Sequence, residues 1–250
     1  MRALVTGATS GIGRCIAENL HNRGWKLVLT GRNEKILREM QRDFGNGTLI
    51  IRAELSDRAE VLKVYDFCKG VKIDMLVNNA GYGIFGEFGQ TDLDDELKMI
   101  DVNVTAVHIL TKLFLRDFRK RNRGYILNVA SVAGFMTGPM LSSYYASKNY
   151  VVRLSLAVAE ELRHEKSRVK ITVLCPGPVD TNFNNRAGVK FSMPPTKPEY
   201  VAEYALKCLF SGKVLALPTL AVKLSVFGRH FLPDRLVTAV VYRIQKAKEK

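Results

Sequence analysis

The chain has 250 residues, of which 47% are hydrophobic and 25% charged, a balance that excludes a disordered or low-complexity chain. Its formal net charge of +14 at pH 7 indicates an anionic partner: nucleic acid, an acidic surface or a phosphate-bearing ligand. The basic residues are spread along the chain without a zinc finger, an RNA-recognition signature or a basic heptad region. We therefore favour a phosphate-bearing ligand and expect no nucleic-acid binding.

Cysteine spacing and the apolar runs indicate the class of protein. Cys15, Cys68, Cys175 and Cys208 lie far apart, without the spacing of zinc ligands or of a small disulfide framework. The first residues do not resemble a targeting peptide, and the apolar run over residues 214–227 is too short and too interrupted to cross a bilayer. We expect a cytoplasmic protein with no metal site and no transmembrane helix.

Seven short runs of apolar and β-branched residues predict strands, separated by segments of helical periodicity. They cover residues 2–6, 26–30, 48–53, 73–77, 124–129, 169–174 and 214–217. Because parallel strands need crossover connections, this alternation predicts an α/β fold, a Rossmann-like doubly wound sheet of about seven parallel strands with helices on both faces. Ligands of such a sheet bind beyond the carboxyl ends of the strands.

A glycine-rich turn follows the first predicted strand. Residues 6–13 read Thr-Gly-Ala-Thr-Ser-Gly-Ile-Gly and lead into a helical segment. Glycines let the backbone approach a pyrophosphate, and the helix N-terminus offers unpaired N–H groups and a positive dipole end. The turn therefore predicts a dinucleotide phosphate site built from Gly7, Thr9, Ser10, Gly11, Ile12 and Gly13.

The end of the second predicted strand indicates which dinucleotide binds. Sites that prefer NAD place a carboxylate there, whereas this sequence reads Thr30-Gly31-Arg32-Asn33. The guanidinium of Arg32 can bind a 2′-phosphate through two hydrogen bonds. The alternative is that Arg32 is a solvated residue at a helix start. We predict NADP(H) as the cofactor.

These motifs resemble the short-chain dehydrogenase/reductase family, whose members carry Thr-Gly-x-x-x-Gly-Ile-Gly near the N-terminus. Asn78-Asn79-Ala80-Gly81 and Pro176-Gly177 follow in the family's order. The resemblance implies an adenine pocket at Glu54 and Leu55. It also implies an adenosine border at Asn79, Ala80 and Gly81, and a nicotinamide border at Pro176, Gly177, Val179 and Thr181.

Two neighbouring tyrosines are candidates for the acid–base group, and helical phase chooses between them. Residues four apart share a helix face, so Tyr144 and Lys148 point into one cleft while Tyr145 turns aside. Reducing a ketone requires a proton for the oxygen, and a Lys ammonium within about 4 Å can lower the pKa of a phenol by about 2 to 3 units. By resemblance, Lys148 also holds the nicotinamide ribose.

Two polar residues complete the predicted site. Ser131 follows the fifth predicted strand, where its hydroxyl can hydrogen-bond a substrate oxygen, although a serine there is more often a helix cap or a turn former. Asn103 lies in the middle of a predicted helix, where an amide is a poor helix former. In the family that this chain resembles, such an asparagine opens the helix around a water that relays protons to the lysine.

We therefore predict an NADP(H)-dependent oxidoreductase that interconverts a small-molecule ketone or aldehyde and the corresponding alcohol. Aromatic and methionine residues in the loops beyond the strands indicate an apolar substrate, such as a hydroxysteroid or a 3-oxoacyl compound. They are Phe135, Met136, Phe183, Phe191 and Met193. The alternatives are a non-enzymatic NADP-binding sensor and a membrane-associated regulatory protein.

Residues 1–217 are predicted to form one dinucleotide-binding catalytic domain, which residues 218–250 extend by an amphipathic helix. Pro233 and Asp234 mark the helix start. One predicted face carries Leu236, Val237, Val240, Val241 and Ile244, with cations beyond. A basic amphipathic helix fits peripheral membrane contact. It also fits packing over the cleft or in a homodimer or homotetramer, which we favour.

Overall fold

The computed structural model describes residues 1–181, 195–229 and 231–247. Its seven strands form one parallel sheet in the order β3-β2-β1-β4-β5-β6-β7. The strands are β1 (Arg2–Thr6), β2 (Lys26–Gly31), β3 (Thr48–Arg52), β4 (Met75–Asn78), β5 (Tyr125–Val129), β6 (Lys170–Leu174) and β7 (Leu215–Ala216). The predicted doubly wound sheet is confirmed, with strand bounds within two residues of those expected from the sequence.

Helices follow the strands in the expected alternation. They are α1 (Gly11–Asn22), α2 (Glu34–Phe44), α3 (Arg58–Lys69), α4 (Leu93–Ile100), a π-helix (Asp101–Ala106), α5 (Val107–Lys120), a 3₁₀ turn (Val132–Phe135), α6 (Ser142–His164), α7 (Pro198–Ser211), α8 (Leu220–Arg229) and α9 (Asp234–Lys246). In the described part of the chain, none of these helices is long and apolar enough to cross a membrane.

The central strands are buried on both faces because successive side chains of a strand point to opposite sides of the sheet. In β1, Ala3 and Val5 pack with the helices α1, α2 and α7, whereas Leu4 packs with α3, α5 and α6. The neighbouring β2 divides in the same way, with Leu27 and Leu29 opposite to Val28. The continuous apolar runs that predicted these strands are therefore required by the two helical layers.

The order of the strands reverses at β1. The chain first builds β2 and β3 on one side and then crosses to β4 on the other. At such a reversal the connections leave in opposite directions and open a crevice at the carboxyl ends of the strands. The turn after β1 and the loop after β4 both open into this crevice.

A buried polar network joins the strands and helices below the crevice. The Asn78 amide donates to the Oδ1 atom of Asn128 at 2.9 Å and to the hydroxyl of Thr111 at 3.0 Å. The amide of Asn128 in turn donates to the hydroxyl of Ser155 at 2.9 Å. The network links β4, β5, α5 and α6. Its hydrogen bonds stabilise polar groups that are buried away from water.

The C-terminal segment forms two helices, and the face of α9 differs from the sequence expectation. Val237 and Val241 are buried, but Leu236, Val240 and Ile244 are about half exposed. The chain packs α9 through a face that includes the buried Gln245. The single apolar face predicted for α9 is therefore divided between an inner and an outer side.

Replacing Asn128 by alanine should destabilise the fold. The Asn128→Ala change removes the partner of the buried Asn78 and Ser155 groups, which we expect to lower the free energy of unfolding by about 2 to 4 kcal/mol. Urea unfolding measures this loss. The control Asn46→Ala, at an exposed position, should change the free energy by no more than about 0.5 kcal/mol. Equal effects of the two changes would contradict a structural role for the network.

Candidate active site

The turn after β1 is fixed by the loop after β4. The hydroxyl of Thr6 accepts hydrogen bonds from the backbone N–H groups of Asn79 at 2.9 Å and Ala80 at 3.1 Å. The side-chain amide of Asn79 donates to the carbonyl groups of Thr6 at 3.0 Å and Gly7 at 3.1 Å. Asn79 therefore stabilises the glycine-rich turn through these hydrogen bonds.

The glycines of the turn leave a space that side chains would fill. Gly7 and Gly11 have φ angles of +62° and +52°, a backbone conformation that favours glycine. A Cβ atom at Gly13 would lie 2.2 Å from the Asn79 amide nitrogen and 2.5 Å from the Gly7 carbonyl oxygen. Ser10 is the N-cap of α1 and makes no side-chain capping hydrogen bond there. Bare backbone at a helix N-terminus fits the pyrophosphate of a dinucleotide.

Thr9 and Ile12 complete the turn on either side of the helix start. The methyl group of Thr9 lies 3.0 Å from the position that a Cβ atom at Gly31 would take, so the turn contacts the end of β2. Ile12 is partly buried and packs against the core of the α1 layer. The glycine turn is therefore positioned against the strand that carries Arg32.

Arg32 lies at the end of β2 and reaches the end of β3. Its Nη1 atom is 3.5 Å from the Oε2 atom of Glu54, and both side chains are partly exposed. A pair with this separation and exposure contributes little to stability. Leu55 beside it is buried. The structure thus places Glu54 next to Arg32, a contact that the resemblance to the family did not predict.

Tyr144 and Lys148 lie on the same face of α6, as helical phase predicted, and both are buried. The Nζ atom of Lys148 is 5.8 Å from the centroid of the Tyr144 ring and donates a hydrogen bond to the Val129 carbonyl at 3.1 Å. The side chain of Ser131 lies near the Tyr144 hydroxyl and influences its pKa. Ser131 also accepts a hydrogen bond from the Ala133 N–H at 3.2 Å, so it caps the 3₁₀ turn as well.

Tyr145 points away from this group. Its ring fills the space beside Gly138, where a Cβ atom would come within 2.2 Å of the ring. Its hydroxyl accepts a hydrogen bond from the amide of Gln245 at 2.9 Å. Tyr145 therefore connects α6 to the C-terminal helix α9.

The acid–base properties of the site differ from the sequence expectation. Burial raises the pKa of Tyr144, and the hydrogen bond with Ser131 opposes the rise without cancelling it. Burial also lowers the pKa of Lys148 to about 8. The expected lowering of the tyrosine pKa by Lys148 is not present, because the phenolate is poorly solvated and the lysine donates to a backbone carbonyl instead.

Asn103 lies in the π-helix and is fully buried. Its amide nitrogen donates to the Tyr82 carbonyl at 2.9 Å and to the Ser147 hydroxyl at 3.0 Å, while its oxygen accepts from the Tyr82 N–H at 3.1 Å. A Cβ atom at Gly81 would lie 2.9 Å from the Asn103 oxygen and 3.1 Å from the Lys148 nitrogen. The structure therefore brings Asn103, Lys148 and Gly81 together.

Sequence reasoning did not identify Tyr82 and Ser147, which hold Asn103 in place. Tyr82 bonds through its backbone, so its side-chain type carries no signal for this role. Ser147 lies within the Tyr-x-Ala-Ser-Lys motif, and its hydroxyl also donates to the Tyr144 carbonyl at 2.7 Å. The serine of that motif could therefore have indicated the role of Ser147.

The loop after β6 lies across the turn after β1. The N–H of Val132 donates to the Pro176 carbonyl at 2.9 Å, and Val179 forms a bridge with Thr196. A Cβ atom at Gly11 would lie 2.9 Å from the Thr181 methyl carbon, and one at Gly177 would lie 3.0 Å from Val222. This loop therefore borders the glycine turn on one side and helix α8 on the other.

The predicted apolar lining is only partly described. Phe135 is buried against Val151, Val152 and Val222, so it packs in the core, and Met136 is partly exposed. Phe183, Phe191 and Met193 lie outside the described residues. Tyr144 does belong to a small apolar cluster with Met99, Ala133 and Leu141, and Tyr82, Ile84 and Phe85 pack against this cluster.

Comparisons with known proteins find matches over most of this chain. The model of the short chain dehydrogenase family matches residues 1–190. The mouse dehydrogenase/reductase SDR family member 7B is 32% identical over 198 residues, which cover 74% of this chain. This chain spans 59% of the length of that mouse protein.

Two solved structures have a similar fold. A short-chain dehydrogenase from Sphingobium yanoikuyae, in complex with NADPH, has a TM-score of 0.84 at 27% identity, covering 92% of each chain. A short chain dehydrogenase/reductase from Burkholderia phymatum, in complex with NAD, has a TM-score of 0.83 at 27% identity and the same coverage of 92%. The two similar structures thus hold different nicotinamide cofactors.

The burial of Lys148 should make the stability of the protein depend on pH. Its pKa is about 8 in the folded chain and 10.5 without burial, so between these values the unfolded chain binds the extra proton. The free energy of unfolding relative to the Lys148→Met variant should therefore rise with pH above about 8, by at most about 1.4 kcal/mol per pH unit. Urea unfolding of both proteins at several pH values measures the difference. A constant difference across this range would contradict the burial of an ionisable lysine.

Proposed function

Because this chain belongs to the short-chain dehydrogenase family, we propose that it interconverts a carbonyl and an alcohol with NADP(H) as cofactor. The observation that carries the proposal is the group of Tyr144, Lys148 and Asn103, all buried, with the partly exposed Ser131 at the carboxyl ends of the strands. A non-enzymatic sensor would not need these four side chains in one place, so we favour an enzyme.

The crevice offers the residues that a nicotinamide dinucleotide needs. The bare backbone of the glycine turn and the N-terminus of α1 would hold the pyrophosphate, and Arg32 would meet the 2′-phosphate. By family resemblance, Lys148 would hold the nicotinamide ribose and the residues from Pro176 to Thr181 would border the nicotinamide. When bound, such a cofactor supplies or accepts the hydride of the reaction.

Tyr144 is the proposed proton donor for the substrate oxygen. Because burial raises its pKa, the phenol keeps its proton at neutral pH, which is the state that a reduction requires. The Ser131 hydroxyl, which lies near that of Tyr144, would orient the same oxygen and stabilise the charge that develops on it. The two side chains thus define where the carbonyl oxygen binds.

Lys148 is the proposed next member of the proton path. With a pKa of about 8 it can both hold and release a proton near neutral pH, which a lysine at its usual pKa cannot do readily. Asn103 lies beside it and is held by three hydrogen bonds. We assign Asn103 to the end of the path that leads away from the substrate.

The preference for NADP(H) is supported by Arg32 and by the lack of an acidic residue at the end of β2. The contact with Glu54 is long and partly exposed, so a phosphate with two negative charges would compete for the guanidinium effectively. The structure from Sphingobium yanoikuyae contains NADPH, which is compatible with this assignment.

An apolar substrate is the further part of the proposal. Tyr144 belongs to an apolar cluster with Met99 of α4, Ala133 and Leu141, and side chains of the loop after β4 pack against this cluster. Such a lining binds a carbonyl that is part of an apolar skeleton, as in a hydroxysteroid or a 3-oxoacyl compound.

The extent of the catalytic unit is also part of the proposal. We assign residues 1–217 to one catalytic domain and residues 218–250 to its extension, because Val222 packs beside Gly177 and Gln245 donates to Tyr145. The cytoplasmic location, the homodimer or homotetramer and the lack of nucleic-acid binding stay predictions from the sequence.

Replacing Tyr144 by phenylalanine tests the proposed reaction. The Tyr144→Phe variant keeps the ring but lacks the proton, so kcat for NADPH-dependent ketone reduction should fall by about 10²- to 10⁴-fold. The rate of NADPH oxidation across a panel of ketones measures it. The matched Tyr145→Phe variant should keep most of the activity, because its hydroxyl contacts Gln245 outside the site. Unchanged activity of Tyr144→Phe would contradict the mechanism.

Replacing Arg32 by alanine tests the proposed cofactor. Loss of the charge-assisted hydrogen bonds to the 2′-phosphate should raise the KM for NADPH by about 10- to 100-fold and leave that for NADH nearly unchanged. The control Arg52→Ala removes an arginine from the end of the neighbouring β3, in register with Gly31, and should alter neither value. Tighter binding of NADH than of NADPH by the unaltered protein would overturn the preference.

A further inference from the structure

The helices α8 and α9 present apolar side chains to the surface. Leu220, Leu224 and Phe227 recur at helical spacing on α8, and Leu236, Val240 and Ile244 recur on α9. These side chains, with Phe231 between the helices, are between 47% and 72% exposed. The seven residues are called the C-terminal apolar surface below. The rings of Phe227 and Phe231 are in contact, with centroids 5.1 Å apart, and exposed apolar groups mark interaction sites on proteins.

This surface is separate from the packing that holds the helices to the domain. Helix α8 is anchored by Val222 and Val226, and α9 by Val237 and Val241, all of which are buried. Each helix therefore has an inner apolar side and a second, outer apolar side. The outer side is not needed for folding onto the sheet and requires another explanation.

The charges around the C-terminal apolar surface are almost all positive. Residues 218–247 contain five cations, Lys223, Arg229, Arg235, Arg243 and Lys246, and a single acid, Asp234. Asp234 already pairs with Arg229. Four of the cations are exposed, and two of them, Lys223 and Arg243, stand three residues after the apolar Leu220 and Val240. A partner that covers this surface must therefore offer both apolar groups and negative charge.

From this pattern we propose that the C-terminal apolar surface docks on an anionic lipid bilayer. Amphipathic helices with bulky apolar side chains on one side and lysine or arginine beside them lie in the interface of such bilayers. Each cation near an anionic surface adds to the attraction. A second copy of the chain, which the sequence pattern favoured as one partner, fits the surface less well, because a symmetric contact would place two positive surfaces against each other.

The position of the surface relates it to the candidate active site. The hydroxyl groups of Thr137 and Thr238 are hydrogen-bonded, and Gln245 donates to Tyr145 beside the proposed proton donor. Helix α8 packs on the same side through Val222, next to Gly177. Docking would bring the substrate side of the domain to the lipid, a consequence that rests on the proposed function, whereas docking itself does not.

Vesicle cosedimentation of the full chain tests the proposal. The vesicles contain phosphatidylcholine alone or an equimolar mixture of phosphatidylcholine and phosphatidylglycerol. The variant Arg235→Glu/Arg243→Glu removes positive charge, and Leu224→Ser/Phe227→Ser removes apolar side chains. The matched controls are Lys112→Glu/Lys207→Glu and Leu62→Ser/Phe67→Ser, which alter exposed residues on other helices. Thermal unfolding of each variant verifies that it is folded.

The unaltered chain should sediment with the mixed vesicles, less with phosphatidylcholine alone, and less at high salt. Both C-terminal variants should bind the mixed vesicles at least about tenfold more weakly, and both controls should bind as the unaltered chain does. The charge variant leaves the packing of α8 and α9 intact, so it decides the question even if the apolar variant unfolds.

Three results would overturn the proposal. The first is no binding of the unaltered chain to the mixed vesicles. The second is an equal loss of binding in the control variants. The third is a dimer in analytical ultracentrifugation that does not bind vesicles and that the Leu224→Ser/Phe227→Ser changes convert to a monomer. That result would assign the surface to a second copy of the chain. The vesicle assay does not depend on ketone reduction, so failure of the proposed function would leave these results unchanged.

Discussion

The side chain of Lys148 is buried, and a buried ammonium group is stable only where hydrogen-bond acceptors replace water. In this protein the carbonyl of Val129 at the end of β5 is such an acceptor. Two glycines leave space for the lysine. A Cβ atom at Gly134 would lie 2.7 Å from the backbone carbonyl oxygen of Lys148, and a Cβ atom at Gly81 would lie 3.1 Å from the Nζ atom of Lys148. The remaining free-energy cost of burying the ammonium group lowers the pKa of Lys148, so the burial changes the acid–base chemistry of this side chain.

The position of Lys148 in the crevice depends on hydrogen bonds deeper in the core. Asn78 and Asn128 join β4 and β5 through a buried hydrogen bond, and α6 is tied to the same network through Ser155. One part of α6 is thereby fixed against the sheet, and the other part carries Tyr144 and Lys148 into the crevice. The π-helix before α5 turns Asn103 toward the same point, in keeping with the general occurrence of π-helical turns at functional sites.

Features that depend on local pattern could be predicted from the sequence. The strands are apolar because both faces of the sheet are covered, and the placement of Tyr144 and Lys148 on one face of α6 follows from the helical repeat. Features set by tertiary contacts could not. The contact of Glu54 with Arg32 and the division of the apolar face of α9 each depend on neighbours distant in the chain. The same holds for the pKa values, which depend on burial, and burial is a property of the folded chain.

The central claim is that a buried lysine supplies the proton path of a carbonyl reduction. The pH dependence of kcat for ketone reduction, with saturating NADPH and substrate, tests it most directly. Reduction consumes a proton, which Tyr144 donates and Lys148 would resupply, so kcat should fall as pH rises through the pKa of Lys148, about 8 in the protein alone. A kcat that stays constant until the pH approaches 10.5, the usual lysine value, would contradict the claim.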